Sequence, residues 1–429
     1  MVDVNRAVRV LGCNLLKGLF SRCDSGENLL VSPYAAMVTL SLLTAGAQED
    51  TEQELAEALQ VRLPLIHAAM RRTILFPSGG GPSAEQDKRF FRMANRVLVG
   101  SALSLNDSYC KIGSRVYGTT VEEADFADDA DGERRTVNEW AKNKAGIAGD
   151  VLGDECTLAA DTGIVLLSAA AVRAASWQQP VTAKLSPFGE VPTALTLEMR
   201  AVYGYAWLEE LSLQAVDVPF SCEAFSATVL LPTGSKSLED LCDSLTAEVL
   251  EQVFAAVRSG RRAVRLELPA INAETASDLK PVLLEMGVQQ AFEDEAAFQR
   301  ITSSSPARVS WVLHRARLDI QPACTPQFLS GSEMGQRFSV GDLHRARPVP
   351  GRRWQPTRDG PCRSLGNSVP GEQAVCAVRA QDGHSPAARL YPERPVTWQR
   401  DGFFVPMRRC SRHSYGYSSV PCLIREFFC

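Results

Sequence analysis

The feature that most constrains this chain is a change of character at residue 320. Residues 309–327 read VSWVLHRARLDIQPACTPQ. The first twelve alternate apolar and polar with the period of a half-buried strand. Two prolines four positions apart, Pro322 and Pro326, then follow. Proline has no N–H to give to a ladder, so the run cannot continue as an interior strand. The charge changes at the same point. Residues 1–320 hold 30 Lys and Arg against 42 Asp and Glu, whereas residues 321–429 hold 15 against 8. Every basic residue of the second part is Arg, and the last lysine is Lys280. That part also holds 12 of the 24 prolines and 6 of the 12 cysteines. We therefore expect an ordered body over 1–320 and a divergent, poorly ordered Arg/Pro/Cys-rich tail over 321–429.

The body has ordinary globular patterning, and the whole chain is 45% hydrophobic and 22% charged. A net charge of −5 argues against nucleic acid as a partner. The first twenty residues lack a secretory signal, because Asp3, Asn5, Arg6 and Arg9 interrupt any apolar stretch. Instead Val4, Val8, Leu11, Leu15 and Leu19 mark one face of a helix. The longest near-apolar run, 34–47, is too short for a membrane span and reads as a buried helix. Thr51 and Glu54 have the spacing of a capping box for the next helix. PSGGGPS at 77–83 reads as a loop. Further helices are expected over 134–152, with Trp140 on the apolar face, one or two over 237–257, and one in 277–292 that ends near Gly287. Strands or buried runs are expected over 164–172, 225–232 and 263–271. In the tail only FFVPM (403–407) and CLIREFF (422–428) read as strands. Twelve cysteines without a CxxC pair point to free thiols rather than a disulfide framework.

Little in the sequence carries catalytic chemistry. GSKS (234–237) lies between a strand and a helix, but Ser235 separates the Gly-Lys pair that a phosphate loop needs, so a turn with a helix cap is the simpler account. Cys410-x-x-His413, with Cys422 and Cys429 nearby, is too loose for a zinc site. The five histidines are scattered, and no GxSxG element houses a nucleophile. The expectation is a protein that is not an enzyme and holds no metal or cofactor. Arg258, Arg261, Arg262 and Arg265 form a basic run that would suit weak binding of an acidic polysaccharide, or simply a solvated turn before a strand. Leu-His-Arg-Ala-Arg occurs at 313–317 and again at 343–347, a single recurrence that fits no repeat architecture.

Taken in order, several segments resemble the serpin family. They are NLLVSPYAAM, SLLTAGAQEDTEQELAEAL, TVNEWAKNKAGI, LLSAAAVRAASW, LQAVDVPF, FSATVLLP, SLTAEVL, LELPAI, DLKPVLLEMGVQQAF, AAFQRI and VSWVLHRARLDI. The similarity spans about residues 10 to 320, three quarters of the chain. It implies an α+β body with three β-sheets and eight or nine helices. It also implies an exposed reactive loop near the C-terminus that baits a serine protease and, once cut, inserts as a new central strand of the main sheet. A monomer in the extracellular space would be usual, with the cytoplasm as the alternative for a chain showing no signal.

The resemblance also assigns residues. Ser32 and His314 match a hydrogen-bonded shutter beneath the sheet. The second serine position is Ala35, and the asparagine position, counted back from Trp177, is Ala169, so His314 is expected to lose half its partners. The hinge, where the family carries Glu-Glu-Gly-Thr and then small residues, is here Gln321, Pro322, Ala323, Cys324, Thr325 and Pro326. Arg345 or Arg347 would be the bait for a trypsin-like protease. The family's closing pair of core strands has no recognisable counterpart, which should leave a sheet edge unpaired. Three readings follow: an endopeptidase inhibitor, a non-inhibitory relative that binds a partner or ligand, or an inactive splice or frameshift variant.

Overall fold

A computed structural model describes residues 4–23, 28–60, 67, 90–174, 177–188, 191–221, 225–304, 306–320, 375–379 and 402–409. The hinge residues Gln321 to Pro326, Arg345, Arg347, the 77–83 loop, the Cys410/His413 group and CLIREFF lie outside them.

Two sheets and eight α-helices make up the described residues. The first sheet has five strands. They are β2 (Phe91–Gly100), β3 (Thr120–Ala124), β4 (Ile164–Ala174), β10 (Ile271–Asp278) and β11 (Val309–Ile320), in the order β10-β11-β4-β2-β3. β4 and β11 run parallel at its centre. Strand periodicity divides their residues between two cores. On the inner face Ile164, Leu166, Ala170 and Val172 of β4 join Val312, Ala316 and Leu318 of β11. They pack with helix α2 (Pro33–Gly46), whose fourteen residues are all buried. On the outer face Val165, Leu167, Ala169 and Ala171 meet Val137, Ala141 and Ala145 of helix α5 (Ala130–Ala145). A strand covered on both faces needs a near-continuous apolar run, and 164–172 is that run, interrupted at Ser168.

α5 is shorter than the expected 134–152. Asp129 caps its start by accepting from the Gly132 amide, and Gly146 ends it with φ +74°, a left-handed turn that favours glycine. The helix after Gly46, α3 (Glu49–Ala58), begins two residues before Thr51. Thr51 and Glu54 therefore make tertiary contacts rather than a capping box. Thr51 Oγ1 accepts from the Ala297 amide at 2.9 Å, and the Glu54 carboxylate from the Gln289 and Gln290 amides at 2.7 Å each. The stretch 277–292 is split, because β10 runs to Asp278, α8 covers only Lys280–Glu285, and Gly287 turns the chain at φ +92°.

The second sheet has eight strands. Its backbone is β6 (Val191–Leu208), eighteen residues long, which pairs along its length with β5 (Val181–Phe188), β7 (Leu213–Pro219) and β9 (Arg261–Pro269). That one strand fuses two of the three expected sheets. β8 (Phe225–Pro232), buried throughout, follows β7. Beyond it lie β13 (Gly402–Arg409), then β12 (Val375–Arg379), then β1 (Leu29–Val31). FFVPM thus falls within β13, antiparallel to β8, and the edge of β8 is paired rather than open. β12 was not legible, since VCAVR is too short for its period to stand out. The remaining helices, α1 (Val4–Phe20), α4 (Asp107–Ile112), α6 (Leu238–Ser244) and α7 (Ala247–Ser259), flank these sheets. The GSKS stretch is a turn, with Ser237 in a capping box with Asp240 at the start of α6.

Candidate functional site

The site is the seam between β4 and β11. The two strands are in register from Val309 opposite Ile164 to Ile320 opposite Ala174, with one irregularity between Val309 and Trp311. Halfway along, His314 stands opposite Ser168. The same row runs outward to Ser277 on β10 and Asn95 on β2. A polar line therefore crosses four strands beneath an otherwise apolar inner face.

His314 is 1% exposed, and both ring nitrogens have partners. The Ser32 amide, at the cap of α2, donates to Nε2 at 2.9 Å. A backbone N–H can only donate, so Nε2 is the unprotonated nitrogen of the neutral ring and Nδ1 carries the hydrogen. Nδ1 lies 2.7 Å from Ser168 Oγ, which is placed to accept that hydrogen and in turn donate to the Leu313 carbonyl at 3.4 Å. The bonds join α2, β11 and β4. Burial pushes the His314 pKa down to about 4, so the ring is neutral at physiological pH.

This corrects the expectation that His314 loses half its partners. Ala169 is not the position opposite the imidazole. It faces α5, on the other side of the sheet. Counting back from Trp177 assumes an unbroken strand, but β4 ends at Ala174 and Trp177 makes only an isolated bridge to Phe220. An error of one residue moves a strand position to the opposite face. Ala35 does lack a hydroxyl, and its amide donates to Ser32 Oγ at 3.4 Å while its carbonyl accepts from Asn95 Nδ2 at 3.4 Å. Asn95 Oδ1 is buried without a partner. Ser168 and Asn95 were missed by the sequence reading. Each is a lone polar residue at an inward position of a strand, the one signal that marks them.

The outer face of the seam is charged. Arg315 donates to Glu274 on β10 at 2.7 Å and to the Asp150 carbonyl. Glu274 also accepts from the Ala148 and Gly149 amides at 3.0 and 2.7 Å, tying the segment after α5 to the sheet. Burial raises the Glu274 pKa, but these donors and the Arg315 charge outweigh it and hold the carboxyl below its ordinary value. Trp311 Nε1 donates to the Thr157 carbonyl at 3.2 Å.

The basic run on and before β9 is partly spent. Arg265 is held by Glu198 at 3.0 Å and Glu267 at 2.7 Å, and the Arg262 guanidinium sits 5.4 Å from the centre of the Tyr205 ring. Arg258 and Arg261 are exposed. Among the described residues Cys13, Cys110 and Cys156 are free thiols, and no cluster of metal-ligating side chains occurs. No described helix is long and apolar enough to cross a membrane.

Comparison with known proteins places this geometry. Residues 6–326 match the family profile Serpin (serine protease inhibitor). Serpin B4 of Homo sapiens is 23% identical over 318 residues, covering 70% of this chain and 81% of that protein. Iripin-2 of Ixodes ricinus is 26% identical over 324 residues, covering 74% and 80%. Among solved structures, uncleaved ovalbumin superposes with a TM-score of 0.67 at 19% identity, over 75% of this chain and 87% of that one. Maspin superposes with a TM-score of 0.66 at 22% identity, over 74% and 86%. Both likenesses establish the fold.

Proposed function

Because the chain belongs to the serpin family, a family of serine protease inhibitors rather than enzymes, we propose that it keeps the family body but does not trap a protease by loop insertion. Its role on this reading is to bind a partner or ligand as a non-inhibitory member. Ser32, His314 and Ser168, with Asn95 beside them, form its shutter.

The observation that carries the reading is where the paired seam stops. β4 and β11 are in register up to Ile320 opposite Ala174. The next residues available to form a strand between them are Gln321, Pro322, Ala323, Cys324, Thr325 and Pro326. A central strand must donate to both neighbours, and each proline removes one donor and fixes φ near the polyproline value. Phe328 adds bulk where the family has small residues. The shutter can hold the sheet closed, and the segment beyond it is unsuited to filling the sheet once opened.

Arg345 and Arg347 are then protease-sensitive sites rather than bait. The full chain incubated with trypsin should give fragments and no complex stable to SDS. Its melting temperature should not rise after the cut. An SDS-stable complex, or a large rise in thermal stability on cleavage, would overturn the proposal and restore the inhibitor reading.

Two finer points rest on the same premise. Free thiols at Cys13, Cys110 and Cys156 among the described residues would suit a reducing compartment, which supports the cytoplasm as the alternative to the extracellular space. Protease nexin-1 with heparin is a structural neighbour at a TM-score of 0.63. Any weak polysaccharide binding by this chain, taken as a monomer, would draw on the exposed Arg258 and Arg261 more than on Arg265, which Glu198 and Glu267 hold.

A further inference from the structure

The upper end of the outer seam carries more positive charge than the structure neutralises. Arg92 on β2, Ala171 on β4 and Arg317 on β11 form one row across three strands. Arg173 lies two residues further along β4, opposite Asp319. Side chains two apart on a strand share a face, so all three guanidinium groups project from the α5 side. Their ties are slack. Arg317 reaches Glu274 and Asp319 only at 3.8 Å and the Gly146 carbonyl at 3.5 Å, and its Nε is buried without a partner. Arg173 has Asp319 at 3.5 Å as its ion pair. Arg92 forms no ion pair among the described residues, though its Nη1 lies within 3.8 Å of where a side chain on Gly146 would begin. Glu274 is already engaged by Arg315 and two amides. Three guanidinium groups thus share one fully available carboxylate, Asp319.

Capping the C-terminal end of α5 explains one of them, because the carbonyl end of a helix attracts a cation. Arg317 alone serves that purpose through Gly146. Like charges on adjacent strands repel unless an anion lies between them. The three arginines and the Asp319 carboxylate line a small open pocket together with Ala145, Gly146, Ala171 and Val172. The free edges of the guanidinium groups provide planar donors that match the oxygens of a tetrahedral anion.

We propose that this pocket is a binding site for a small tetrahedral oxyanion of the phosphate or sulfate class, held by Arg92, Arg173 and Arg317. An anion there would bridge β2, β4 and β11 and stabilise the closed seam. The inference is independent of whether the chain inhibits a protease.

Inorganic phosphate is the probe. The full chain is titrated by calorimetry and by thermal melting, with ionic strength held constant by sodium chloride. We expect saturable binding of one phosphate per chain and a rise in melting temperature that follows the same isotherm. The double variant Arg92→Gln/Arg173→Gln removes two donors from exposed side chains and should weaken binding by roughly tenfold or more. The single variant Arg92→Gln, expected to fold normally, should give an intermediate affinity. Absence of saturable heat in the unmodified chain, or affinity unchanged in both variants, would overturn the site. A melting-temperature rise of equal size in the double variant would mark a general salt effect and would also overturn it.

Discussion

The two faces of β4 and β11 are built by alternate residues of the same two strands, yet they solve opposite problems. Inward, one imidazole and a few hydroxyl and amide groups are sealed in an apolar core and kept neutral. His314, Ser168 and the Ser32 amide satisfy one another at 2.7 and 2.9 Å. Outward stand the ionisable side chains of Arg315, Arg317, Glu274, Arg173 and Asp319, of which Arg173 is the one largely exposed. The inner network has little slack, since a buried polar group without a partner costs about 1–3 kcal/mol. The outer network has contacts as long as 3.8 Å, and Arg317 Nε and Asp319 Oδ1 within it are buried without a partner. The seam is thus closely bonded underneath and loosely paired on top.

That contrast can be broken most directly at its centre. His314→Ala should destabilise the protein by roughly 3–4 kcal/mol in urea unfolding, combining a cavity with two stranded polar groups. A loss below about 1 kcal/mol would mean the inner row is not a bonded unit.

Acid attacks the same residue. The folded His314 pKa is about 4, against 6.5 for the free side chain. The unfolded chain therefore binds a proton that the folded chain refuses between these values. Its contribution to stability is intact above pH 6.5 and is lost progressively as pH falls toward 4, by on the order of 3 kcal/mol. His314→Gln, which cannot titrate, should flatten that part of the stability–pH curve measured by denaturant midpoints. An unchanged curve would place the acid sensitivity elsewhere.

Register can be tested by Ala169→Asn. If Ala169 faced the imidazole, asparagine there would be harmless. Facing α5 at 0% exposure, it should cost about 2–3 kcal/mol through overpacking and an unpaired amide. The smallest effect is expected at Asn95→Ala, under about 1 kcal/mol, because only a 3.4 Å bond is lost and the unpartnered Oδ1 goes with it.

Much of the fold was legible because strong patterns dominate it. The 164–172 run reads as buried, and the structure makes it a strand covered on both faces, while 309–320 reads as a half-buried strand and is one. The family resemblance named Ser32 and His314, and from the residues alone His314 stood out only as the lone imidazole of its strand. Ser168 and Asn95 were not legible, because a serine or asparagine in a strand acquires meaning only from what stands opposite. Ala169 was misassigned for the same reason, through a count across the end of β4. In the tail, FFVPM carried enough β propensity to be noticed, while VCAVR did not. Neither stretch reveals that β13 and β12 fill the space between β8 and β1.

The sequence by itself determined the boundary at Ile320. Proline, arginine and the loss of lysine are properties of the chain that no packing can alter. They decide that residues 321–327 are unsuited to a central strand, because a missing N–H stays missing in any conformation. Only the tertiary structure decided which residue answers His314. That depends on strand register, where one step exchanges the neutral face for the charged one, and register is fixed by contacts between segments about 145 residues apart.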